Sequence, residues 1–202
     1  VLIKAACYGL TTELCASRSL GVLGAARYVV AKRIDRVALS GDRDSARSAA
    51  LELIARSAVL EPTDDELAVA TTIETTAQRR GLELDAGESQ LAAMIIARGI
   101  AVLETGDKRA IKGFEALLDD ISDLDALRGR LRCVEQIVAR CIEGAGADAL
   151  ASAICAEPHI DKTLSICFRC FSPPPHGAAL DRDGLENYIA ALRENAQHVL
   201  ES

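Results

Sequence analysis

Apolar residues recur at helical spacing along most of the chain, and a few short, continuous apolar runs interrupt that rhythm. Residues 1–17 read as an Ala-, Leu- and Cys-rich helix. A second helix is expected over 25–34 (AARYVVAKRI), and a third over 43–57, opened by Gly41-Asp42. Ser19–Leu23 and Ala58–Leu60 have the look of short strands. Pro62-Thr63 opens a helix over 64–79, where Thr63 and Glu66 form a capping-box pattern. Arg79-Arg80-Gly81 ends it, with cations in the last turn and Gly just beyond. The helix QLAAMIIARG then stops at Gly99. Ile100–Leu103 reads as a buried strand running into Glu104-Thr105-Gly106-Asp107, and helix resumes near Lys108. Short strands alternating with amphipathic helices predict an α/β fold with a mainly parallel sheet.

Beyond about residue 113 no strand pattern stands out. Residues 119–143 read as a long helical stretch broken near Gly129, and Gly144-Ala145-Gly146 as a turn. Further helices are expected over 147–156, 161–171 and 184–200. Ser172-Pro173-Pro174-Pro175-His176-Gly177 forms a rigid loop pattern. The pattern therefore divides the chain into an α/β part, 1–118, and a helical C-terminal extension, 119–202.

Composition narrows the classes. With 50% hydrophobic residues the chain is too apolar to be disordered. No stretch approaches the roughly 18 to 20 apolar residues that cross a bilayer, so no membrane association is expected. Three Phe, three Tyr and no Trp argue against binding single strands by aromatic stacking. The net charge of −7 is uneven: residues 1–118 hold 15 Lys and Arg against 16 Asp and Glu, and 119–202 hold 8 against 14. Residues 18–56 form a basic stretch that could meet phosphates or be a solvated helix surface. Seven cysteines, an odd count without a signal-peptide pattern, fit a reducing cytoplasm, with the thiols packed as small hydrophobes.

Glu88 falls in the first turn of a helix, and Asp107 just past the carboxyl end of a strand. Ligands of open parallel sheets gather outside those ends. Two carboxylates converging there would offer hard oxygen donors to Mg²⁺ or Mn²⁺. Each also has a plainer reading, since acids favour helix N-termini and Asp is a preferred N-cap.

The segment AGESQLAAMIIARGIAVLETGDKRAIKGF, residues 86–114, resembles the C-terminal half of a PIN-like domain, a family that includes the ribonuclease toxins of toxin–antitoxin pairs. The resemblance rests on Gly87-Glu88 opening a helix, Ala97-Arg98-Gly99 ending it, the apolar strand, and Thr105-Gly106-Asp107 followed by Lys108-Arg109. Val1-Leu2-Ile3-Lys4 is similar to the first helix of that family. The likeness thus spans about 1–118 and carries the expectation that a strand ending in Asp-x-Asn precedes Val1. It implies a three-layer α/β fold with a short parallel sheet, and a metal-dependent ribonuclease. Glu88 and Asp107 would be its catalytic, metal-holding acids and Mg²⁺ or Mn²⁺ its cofactor. Lys108, Arg109, Lys32 and Arg33 would meet the RNA backbone. An antitoxin or other protein is an implied partner. The helical extension would cover the nuclease face, form a homodimer, hold a partner, or only complete the core.

The sequence departs from the family in one further place. Lys32-Arg33 stand where an acid is common, with Asp35 and Glu13 the acids nearby. This favours an alternative, a catalytically inactive PIN-fold interaction or scaffold protein. Cys155, His159, Cys167 and Cys170, with His176 after them, have the inventory of a zinc site. The apolar run TLSICFRCF argues instead that Cys167 and Cys170 pack.

Overall fold

The structure, a computed structural model, describes residues 1–15, 19–171 and 178–202. The expected loop Ser172–Gly177, with His176, lies outside them. The chain is mixed α/β, mostly helical, with two short parallel two-stranded sheets. It forms two compact units that interleave in sequence: unit 1 is Val1–Leu60 with Glu135–Ile189, and unit 2 is Glu61–Val134 with Ala190–Ser202. The expected boundary at residue 118 falls inside unit 2.

Unit 1 opens with α1 (Leu2–Cys7) and α2 (Thr11–Cys15). The single helix expected over 1–17 is interrupted at Gly9, whose φ is +67°. Strand β1 (Gly21–Leu23) pairs in parallel with β2 (Ala58–Leu60), matching Gly21 with Ala58 and Leu23 with Leu60. A Cβ on Gly21 would stand 2.7 Å from Leu60 Cδ1, so a residue with a side chain would force Leu60 aside. Between the strands run α3 (Ala26–Ile34) and α4 (Arg43–Arg56), and Asp42 caps α4 by accepting from the Asp44 N–H at 3.0 Å. Ala6, Val22, Val30, Ile34, Ala50 and Ile54 bury one apolar cluster between these elements. The rest of the unit is helical: α8 (Val134–Ala145, whose first residue belongs to unit 2), α9 (Ala147–Ala156), α10 (Lys162–Cys167) and α11 (Ala178–Arg193), most of which lies here.

Two cysteines of unit 1 are not packed thiols. Cys155, near the end of α9, and Cys170, just past α10, form a disulfide with their Cα atoms 4.9 Å apart. This corrects the reading of these cysteines as reduced, packed thiols and removes two sulfurs from the zinc inventory. The cause is tertiary: a chain reversal between the helices aligns residues fifteen apart in sequence. Cys167 stays a buried thiol and donates to the Gly184 carbonyl.

Unit 2 is built on α5 (Asp64–Arg79) and α6 (Ala86–Arg98), which pack as a hairpin. The capping box of Thr63 and Glu66 is formed in full. Glu66 also receives Arg98 from the far end of α6 through two bonds of 2.6 Å, which ties the open end of the hairpin. After Gly99, in the left-handed region at φ +62°, the chain reaches β3 (Leu103–Thr105) and α7 (Lys108–Leu117). The expected strand at 100–103 thus lies a few residues too early.

The region beyond 113 does contain a strand, contrary to expectation. Ser122–Leu127 is a short 3₁₀ helix, Gly129 turns the chain at φ +67°, and β4 (Leu131–Cys133) pairs in parallel with β3. Residues expected to continue the last helix instead join this sheet: the Leu131 N–H donates to the Val199 carbonyl, and the Glu201 N–H to the Leu131 carbonyl. Arg132, buried in the middle of β4, binds Glu104 at 2.7 Å and Glu201 at 2.6 Å. Breaking such a buried ion pair costs roughly 3–5 kcal/mol, because the surviving charge keeps its desolvation penalty. Among the described residues no helix is long and apolar enough to cross a membrane.

Candidate metal centre

The β3–α7 turn and the start of α6 bring three carboxylates together. Asp85 is the N-cap of α6, and Glu88 stands three residues on, in its first turn. The Asp85 side chain makes no capping hydrogen bond. The Asp85 backbone N–H instead favours the nearby Glu88 carboxylate anion. Asp107 caps α7 by accepting from the Arg109 N–H at 2.8 Å.

Thr105, buried at the end of β3, joins the two turns. Its hydroxyl donates to Glu88 Oε1 at 2.9 Å and accepts from the Asp107 N–H at 3.0 Å. The result brings one carboxylate oxygen from each of Asp85, Glu88 and Asp107 within 4.8 Å of the others. Asp85 is exposed, while Glu88 and Asp107 are half-buried.

The electrostatics of the two inner acids diverge. Burial pushes the Glu88 carboxyl above the ordinary glutamate range; the Thr105 hydroxyl opposes this, and the charges of Asp107 and Asp85 add to it. Asp107 is held below its ordinary range, chiefly by Arg109. That guanidinium grips both carboxylate oxygens, Nε to Oδ1 at 3.2 Å and Nη2 to Oδ2 at 2.8 Å, and its Nη1 reaches Glu83 at 2.6 Å.

Three carboxylates and no nitrogen or sulfur donors make a set suited to a hard, oxygen-loving dication such as Mg²⁺ or Mn²⁺. Burial first, and the neighbouring carboxylates after it, disfavour the Glu88 anion, and a dication bound there would offset both. These three residues could hold a metal ion.

The structure therefore brings Glu88 and Asp107 together, with Lys108 and Arg109 following on α7. Lys32 and Arg33 lie exposed on α3, in unit 1, whereas the acids belong to unit 2. Asp85 was missed in the sequence. Its signal was the spacing Asp-x-x-Glu across a helix start, which reads equally as a cap. Comparison with protein-family models, with curated proteins and with solved structures finds no match.

Proposed function

We propose that unit 2 is a PIN-like, metal-dependent nuclease that hydrolyses RNA phosphodiesters. The observation that carries this reading is the meeting of Glu88 and Asp107, the acids expected from the resemblance to PIN-like domains, with a third acid, Asp85, within 4.8 Å. Asp85, Glu88 and Asp107 would hold Mg²⁺ or Mn²⁺. A bound dication supplies positive charge to the phosphoryl oxygens and lowers the pKa of water. Thr105 fixes the Glu88 carboxylate and the Asp107 backbone in one frame, so the acids are positioned before any ligand arrives. Lys108 and Arg109, at the N-terminus of α7, add positive charge where a phosphate would approach.

One observation favours a second reading, a PIN-fold interaction protein without catalysis. Arg109 already neutralises Asp107 through both oxygens, as a stable structural ion pair would. RNA cleavage with Mn²⁺, compared with Asp107→Asn and Asp85→Asn, separates the two. We expect each variant to lose at least about a hundredfold in rate, as removal of one charge-stabilising group typically does. Equal cleavage by wild type and Asp107→Asn, or none by either alongside absent Mn²⁺ binding, would refute the nuclease.

A further inference from the structure

Unit 2 holds a cleft of about 560 Å³ that the acids do not line. Its walls are Thr72, Thr76, Arg79 and Arg80 from the end of α5 and the residues after it, facing Asp120 and Ser122 before and in the 3₁₀ helix. Ile121 is its one large apolar side chain, and no aromatic ring lines it. Such a wall offers guanidiniums and hydroxyls and nothing for a base to stack on, which suits a phosphate and its sugar better than a nucleobase.

The two arginines differ in a telling way. Arg80 donates Nη1 to Asp120 Oδ2 at 2.5 Å, so its charge is matched. Arg79 donates Nη2 to the buried Thr76 hydroxyl at 2.9 Å, and among the described residues it has no acidic partner. Arg130 and Arg193 of the same unit bond backbone carbonyls, but Arg79 alone of the three lines the cleft. The turn after α5 also leads straight to the acids. Arg80 and Asp85 are five residues apart, which limits their Cα separation to about 18 Å. One short single strand could therefore engage both.

We propose that this cleft binds a backbone phosphate of an RNA strand, gripped by Arg79 and, after Asp120 yields it, by Arg80. This rests on the nuclease reading of the same unit and adds a substrate-positioning subsite to it. Asp120 is then a built-in competitor, displaced by the phosphate.

The test is anisotropy of a short labelled single-stranded RNA with the full chain in EDTA, which removes the metal and cleavage. Arg79→Gln should weaken binding about three- to tenfold and lower the slope of log affinity against log salt by about one. Asp120→Asn should tighten binding several-fold, and more than Asp64→Asn at the far end of α5, because it frees Arg80 as well as removing a negative charge; equal tightening by the two would mark a general field effect and overturn the role of Arg80. Unchanged RNA affinity in Arg79→Gln would overturn the proposal. So would Arg79-dependent binding of inorganic phosphate without binding of RNA, which would mark a free-phosphate site instead. Arg79-dependent RNA binding without Mn²⁺-dependent cleavage would uphold the cleft and overturn the nuclease. Cleavage with a KM unmoved by Arg79→Gln would do the reverse.

Discussion

Asp107 has a resident cation, the side chain of Arg109, bound through both carboxylate oxygens. A metal ion must compete with that guanidinium. Arg109 itself is two-thirds exposed, at 67%, so solvent screens the pair and weakens it. Arg109→Gln keeps the backbone N–H that Asp107 caps, and removes the competing charge. It should therefore raise Mn²⁺ affinity by a small factor, measured by calorimetric titration. Weaker Mn²⁺ binding in the variant would show that Arg109 shapes the carboxylate for the metal instead of competing with it.

Among the elements, the α5–α6 hairpin was the most legible and the β3–β4 sheet the least. Thr63, Glu66, Gly81 and Gly99 act locally: a cap or a chain stop depends on groups within a few residues, so spacing alone announces it. The strand β4 offered no such signal. It has three residues, and its middle one is Arg132, whose burial makes sense only once Glu104 and Glu201 close on it from 28 and 69 residues away. The Cys155–Cys170 pair and the joining of Asp85 to Asp107 were hidden for the same reason. Glu66 shows how local and distant terms meet in one residue. Its carboxylate takes the Thr63 N–H at 2.8 Å as a cap and Arg98 through both oxygens, which together hold its pKa at about 2. A carboxyl depressed on folding stabilises the protein above its unfolded pKa, and that contribution fades as pH falls through the folded value. Glu66→Gln should thus cost about 1–3 kcal/mol near neutral pH, the worth of a charged, partly buried hydrogen-bonded pair. The gap between variant and wild type should close as pH is lowered from about 4.5 towards 2. Urea unfolding across that range would read it, and a gap constant with pH would assign the loss to packing instead of charge.

For the whole molecule, folding redistributes the charge that the linear sequence displayed. Divided at residue 118, the acidic excess falls on the C-terminal part. Divided as the chain folds, unit 1 holds 13 Lys and Arg against 13 Asp and Glu, and unit 2 holds 10 against 17. The whole net charge of −7 therefore sits on the unit with the three clustered carboxylates, while the basic stretch 18–56 belongs to the neutral one. A field of that sign draws dications towards the acids and opposes the approach of a polyanion, which leaves RNA dependent on local contacts such as Arg79. The attraction on the metal has two parts with different ranges. Direct carboxylate contacts act at bonding distance and are little affected by salt. The field of the remaining acids acts over the Debye length, which shrinks from about 30 Å at 0.01 M to about 3 Å at 1 M ionic strength. Mn²⁺ affinity should accordingly fall about tenfold as KCl is raised across that range, and then level off at the value the three carboxylates alone provide. Titrations at four or five salt concentrations would trace this curve. A flat response would mean that Asp85, Glu88 and Asp107 act without help from the unit's other charges, and Arg109→Gln would then be the more effective lever on metal binding.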